Sequence, residues 1–127
     1  MSMKENHRIL FTPGAIGNVQ LKNRYYMAPI GPSGMTDAEG AFMETAIDYY
    51  AARAKGGVGL IITGDCFVEN EIQETVMPSH VVPTWKPTCF VRTGRKMTER
   101  VHAYGAKIFI QLSAGFGRVG QDRKSVV

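Results

Sequence analysis

Three apolar runs, Arg24-Tyr25-Tyr26-Met27-Ala28-Pro29, Gly59-Leu60-Ile61-Ile62-Thr63-Gly64 and Lys107-Ile108-Phe109-Ile110-Gln111-Leu112, each give way to small or polar residues. Runs that are apolar on both faces belong in a covered parallel sheet, and such sheets bind ligands beyond the C-terminal ends of their strands. Chemistry is therefore sought where the runs finish and in residues 31–40, an irregular stretch holding Gly31, Pro32, Ser33, Gly34, Asp37 and Gly40. The other reactive side chains are dispersed. Cys66 and Cys89 form no C-x-x-C unit, and His7, His80 and His102 have no acidic or cysteine neighbour at ligand spacing, so reduced thiols and no metal site are expected. Gly115-Phe116-Gly117-Arg118-Val119-Gly120 matches G-x-G-x-x-G. It follows the third run, whereas a dinucleotide-binding turn follows the first strand of its fold.

The elements that must position these residues can be read in order. Residues 15–23 place Gly17-Asn18 between short apolar stretches, the pattern of a β-hairpin, here expected to plug the end of a barrel opposite its site. A first strand is expected over about 24–28, ended by Pro29, which has no N–H for a sheet ladder. From about Glu44, the spacing of Ala46, Ile47, Tyr50, Ala51 and Ala54 predicts an amphipathic helix that stops at Gly56-Gly57 after Lys55. A second strand is predicted to start at Val58. Over 68–96, Glu69, Glu71, Glu74, Pro78, Pro83 and Pro87 break the periodicity and predict an irregular excursion, with Trp85 packing that loop on the body rather than on a ligand. Met97, Val101 and Tyr104 predict a second helix over about 96–103 closed by Gly105, and the third strand follows at Lys107. Strand, helix, strand, helix, strand describes an α/β fold, either a βα-barrel or a doubly wound sheet.

The chain has 127 residues and a net charge of +4, and its basic residues are scattered, which argues for a solvated surface and against nucleic-acid binding. No apolar stretch has the length of a membrane span, and residues 1–8 lack the apolar core of a signal peptide, so a cytoplasmic location is expected.

Several segments in the right order resemble one family. Leu10-Phe11-Thr12-Pro13, Ile16-Gly17, Leu21-Lys22-Asn23-Arg24, Met27-Ala28-Pro29, the stretch 49–62 (YYAARAKGGVGLII) and the stretch 102–112 (HAYGAKIFIQL) look like the opening segment of the Old Yellow Enzyme family. The likeness is to its enoate reductase and dienoyl-CoA reductase branch, and it covers about residues 10–118. It implies about three βα units, with a preceding β-hairpin, from the N-terminal portion of a (β/α)8 TIM barrel. It further implies FMN as cofactor, NADH or NADPH as reductant, and hydride transfer to the β-carbon of an activated alkene in an enoate, enoyl thioester or enone. The residues implied to bind the cofactor are those at the strand ends: Pro29, Ile30, Gly31, Gly64, Asp65 and Gln111. Pro29 and Ile30 would offer backbone and apolar surface, Gly64 would let the main chain come close, and the Gln111 amide would both donate and accept.

Departures from the family pattern are Gly31, where a cysteine or threonine is frequent, and residues 113–118, Ser-Ala-Gly-Phe-Gly-Arg, in place of H-x-G-R. No catalytic residue is assigned; the substrate-anchoring pair, the proton donor and the phosphate-binding arginine belong to later strands. A 4Fe-4S cluster and an FAD domain, implied by the enoate reductase branch, are likewise expected outside this chain. The division expected is a polar leader over 1–9, an incomplete barrel domain over 10–121, and a non-native tail over 122–127. Those last six residues, Asp-Arg-Lys-Ser-Val-Val, match the translation of a common sequencing adapter, so a longer native chain is expected. The competing readings are a non-enzymatic truncated product or interaction module that needs a partner, and a phosphate-binding βα-barrel of different chemistry.

Overall fold

The computed structural model describes residues 7–31, 34–68 and 80–114. The leader residues 1–6, Glu69, Glu71, Glu74, Pro78, the G-x-G-x-x-G match and the tail 122–127 lie outside them.

A 3-10 turn, Arg8–Phe11, leads into the expected hairpin, β1 (Gly14–Ile16) antiparallel to β2 (Val19–Leu21), with Ile16 opposite Val19. Gly17 takes φ +56° at the turn, a left-handed conformation that a side chain disfavours. The body is a parallel sheet of β3 (Tyr26–Ile30), β4 (Leu60–Phe67) and β5 (Lys107–Ser113), ordered β3-β4-β5, with helices α1 (Glu44–Lys55) and α2 (Pro87–His102) in the two crossovers.

The periodic face read from the sequence is the face that α1 buries: Ala46, Ile47, Tyr50, Ala51 and Ala54. All but Ala51 join Ile61 and Cys66 of β4 and Met97 and Val101 of α2 in one core between sheet and helices. Removing that much apolar surface from water is the main force holding the unit together. On the outer surface, Glu44 pairs with Lys96 at 2.6 Å and with Arg100 at 3.1 Å, and Arg100 also meets Asp48 at 2.6 Å. These exposed pairs set the helix–helix register more than they stabilise it.

β3 and β4 each begin two residues later than expected, at Tyr26 and Leu60, and three further features differ from the sequence expectation. Pro29 does not end β3 but lies within it, where the β3–β4 register shifts between Met27 and Ile30, so its missing N–H falls at a break in the ladder. Helix α2 begins at Pro87, nine residues before the predicted start; proline is well placed at the first helical position, where its N–H would have no partner anyway. β4 runs on through Gly64 and Asp65 to Phe67, because Cys66 and Phe67 pair with Leu112 and Ser113 of β5. Trp85 packs on Gly40, as expected, with its Cε3 3.1 Å from where a Gly40 Cβ would stand.

The hairpin stands at the N-terminal ends of the strands. Gly14, Ala15, Ile16 and Leu21 line an apolar hollow together with Tyr26, Leu60 and Ile62. Lys22 Nζ donates to the Tyr104 carbonyl beyond α2 at 2.7 Å, and Asn23 Nδ2 to the Gly57 carbonyl beyond α1 at 2.7 Å. Both sheet edges remain open among the described residues: β3 and β5 each pair only with β4. Tyr26, Ile30, Ile110 and Leu112 are exposed there.

Candidate functional site

At the other end of the sheet, both ladders lose their register at nearly the same level: β3–β4 between Met27 and Ile30, and β4–β5 between Ile62 and Asp65. Such irregularities bend a strand and re-aim its side chains. The structure brings the six expected residues to this end. Pro29 and Ile30 are the last two residues of β3, Gly31 follows them, and Ile30 pairs with Thr63. Gly64 and Asp65 come next in β4, and Asp65 lies opposite Gln111 of β5.

Gly64 is buried while Gly31 and Asp65 are exposed. A Cβ on Gly64 would overlap the Gly31 backbone, and a Cβ on Gly31 would stand 3.0 Å from Gly64 Cα. This glycine-to-glycine contact by itself requires a glycine at 64, whereas at 31 a side chain would be tight. Gln111 donates its backbone N–H to Thr63 Oγ1 at 3.2 Å, while its side-chain Oε1 is buried without a hydrogen-bond partner among the described residues. A buried amide oxygen left unpaired costs free energy, so the arrangement calls for a donor from outside.

Pro29, Gly31, Gly64 and Asp65 border a cleft of about 190 Å³ that Tyr50 and His80 also line. Three residues here escaped the sequence reading. Tyr50, seen there only as an apolar helix position, donates its hydroxyl to the Ile30 carbonyl at 3.0 Å and accepts the Gly64 N–H at 3.1 Å. Burial raises its phenol above the ordinary value, with the Gly64 hydrogen bond acting against that, so the hydroxyl keeps its proton. Thr63, fully buried, holds Gln111. His80 meets Phe67 in a tilted ring contact at 4.4 Å between centroids, and its Nδ1 is buried without a partner among the described residues. The usable signal was a tyrosine on a buried helix face, since a buried hydroxyl needs a partner.

The two thiols are free and differently placed. Burial pushes Cys66 up to about 11, with Thr63 opposing, so it packs as a neutral thiol in the core. Cys89, in the first turn of α2, donates to Glu39 Oε2 at 2.8 Å, and Lys86 meets the other oxygen at 2.7 Å. The Cys89 hydrogen bond, followed by Lys86, lowers the Glu39 carboxyl below its usual range. This cluster ties the loop after β3 to α2. No group of three or more potential metal ligands occurs among the described residues.

Comparison with known proteins identifies the family and the fold. Residues 9–125 match the model of the NADH:flavin oxidoreductase / NADH oxidase family. A cinnamate reductase of Clostridium sporogenes is 56% identical over 92% of this chain, which spans 18% of that protein. An NADH oxidase of Thermoanaerobacter brockii is 37% identical over 81% of the chain, which spans 15% of it. The old yellow enzyme of Trypanosoma cruzi superposes with a TM-score of 0.73 and 28% identity, over 91% of this chain and 29% of that structure. The sheet is thus part of a (β/α)8 barrel rather than of a doubly wound fold. With a family match running almost the length of the chain and the strand ends arranged as described, this chain belongs to the NADH:flavin oxidoreductase / NADH oxidase family.

Proposed function

We propose that this chain supplies the first three βα units of a flavin enzyme that reduces the activated C=C bond of an enoate, enoyl thioester or enone with NADH or NADPH. FMN and NAD(P)H are typical of the family, and the relative named for cinnamate favours an unsaturated acid as the substrate class. The chemistry that FMN supplies when bound is hydride transfer from the nicotinamide to the alkene β-carbon.

The observation that carries the reading is Gln111 Oε1, buried at the strand ends with its hydrogen-bonding capacity unused among the described residues. A flavin ring offers an N–H for that oxygen and a carbonyl for the amide's own N–H groups, so the residue fits the group. Thr63 fixes the Gln111 backbone, which sets where the amide can reach. Ile30, half exposed on β3 and paired with Thr63 of the strand between it and Gln111, gives an apolar wall that excludes water from the ring. Gly31 and Gly64 keep the wall low, with no side chain between strand and cofactor. Asp65 and Pro29 line, with Gly31 and Gly64, the cleft at these strand ends, whose lining does not include Ile30 or Gln111.

We place the proton donor, the substrate anchors, the phosphate-binding arginine and, as in the enoate reductase branch, a 4Fe-4S cluster and an FAD domain on the part of the protein outside these residues. The alkene is then a soluble small molecule met in the cytoplasm. No helix among the described residues is long and apolar enough to cross a membrane.

The test uses the full-length protein, purified without oxygen and supplied with FMN, NADH and cinnamate. The saturated acid should form, and Gln111→Leu should weaken FMN binding about tenfold, the loss of one or two buried hydrogen bonds. A full-length protein that binds no FMN would refute the proposal.

A further inference from the structure

Gly64 lies just past Ile30–Thr63, the last β3–β4 pair, and within the β4–β5 register shift between Ile62 and Asp65, where regular ladder partners are lost, and it is buried. A buried N–H without an acceptor is rarely tolerated. The acceptor here is a side chain of a helix. Tyr50, 2% exposed on the inner face of α1, accepts the Gly64 N–H at 3.1 Å and donates its own O–H to the Ile30 carbonyl at 3.0 Å. One hydroxyl thus replaces a missing rung between two strands.

We propose that Tyr50 is a positioning residue of the flavin site: its hydroxyl fixes the peptide planes at Ile30 and Gly64, keeps Gly31 seated on Gly64, and so sets the surface the flavin meets. This rests on the reading of the strand ends as the flavin site. The effect extends to the third strand, because the residue before Gly64 is Thr63, whose Oγ1 holds the Gln111 N–H. Moving Gly64 therefore moves the support of the orphaned Gln111 amide. The ring of Tyr50 is core, packed with Phe42, Ile47 and Ile61, whereas the hydroxyl alone carries the positioning. That separation makes Tyr50→Phe informative, since it keeps the ring and deletes the rung.

The experiment compares the full-length protein with its Tyr50→Phe and Tyr49→Phe variants. Tyr49 stacks edge-on to Tyr50 at 5.3 Å and lies over Arg53, so its variant perturbs the same helix without touching the rung. FMN affinity should fall about tenfold in Tyr50→Phe, with a shifted flavin absorption band, and stay within about twofold of wild type in Tyr49→Phe. Equal affinity and an unchanged spectrum in Tyr50→Phe would overturn the positioning role while leaving the flavin reading intact. A wild type that binds no FMN would overturn both. Should Tyr50→Phe not fold, amide exchange in the wild type decides: FMN should slow exchange at Gly64 and Gln111 at least about tenfold and leave Ile47 in α1 unchanged. Unaltered exchange at Gly64 would overturn the proposal.

Discussion

The two ends of the three-strand sheet are built differently. At the N-terminal end the ladders are regular, Tyr26 with Leu60 and Leu60 with Lys107, and the fastenings are polar side chains of one short segment, Lys22 and Asn23, reaching the carbonyls that follow each helix. At the C-terminal end both ladders slip, and the fastening is backbone against backbone, Gly31 on Gly64, backed by one hydroxyl. A frame needs only to be held, and solvent-exposed hydrogen bonds suffice. A ligand site must present groups that the sheet does not already use, and irregular pairing is what frees them.

The contrast can be broken most severely at Gly64. Replacing it by valine drives a branched side chain into the Gly31 backbone, and the cost should reach about 3 kcal/mol, read as a lower denaturant midpoint of the full-length protein. A midpoint within experimental error of wild type would mean the glycine contact is not tight.

A second effect also belongs to the site end and is seen with pH. Cys66 lies in the core close behind Thr63, with its thiol raised from 9.0 to about 11 by burial. The unfolded chain ionises first, so stability present below about pH 9 is lost as pH rises toward about 11. Cys66→Ala should flatten that part of the stability curve; an unaltered slope would assign the loss to other groups.

The smallest effect should come from the frame end. Asn23→Ala removes the bond to Gly57 and the one accepted from the Tyr25 N–H, both exposed, and should cost about 1 kcal/mol without altering FMN binding. A change in FMN affinity from this distant variant would show that the two ends are not independent.

The same contrast governs how much could be read from sequence. The hairpin, α1 from Glu44 to Lys55 and the start of β5 at Lys107 were legible because turn glycines, helix periodicity and apolar runs are local signals. The six site positions were reached through strand ends and the family likeness. What those positions do to one another was not legible. Pro29 and Pro87 were both read as breaks, yet one sits in a strand where the ladder is already interrupted and the other opens a helix. Context separates those roles, and context is tertiary. Tyr50 fits its helix pattern by its ring alone, and nothing in a spacing of three and four reveals that a hydroxyl ends beside two strands. That Gly64 lies against Gly31, 33 positions earlier in the chain, is a contact that no local pattern reveals.

The order β3-β4-β5 in space is also the order along the chain. Each strand therefore pairs with the one that precedes it by a single helix, which keeps loop closure short and the search local. Growth proceeds at one margin of the sheet, so a barrel of this kind can be wound as it is translated, with the exposed Ile110 and Leu112 of β5 as the face that must be covered next.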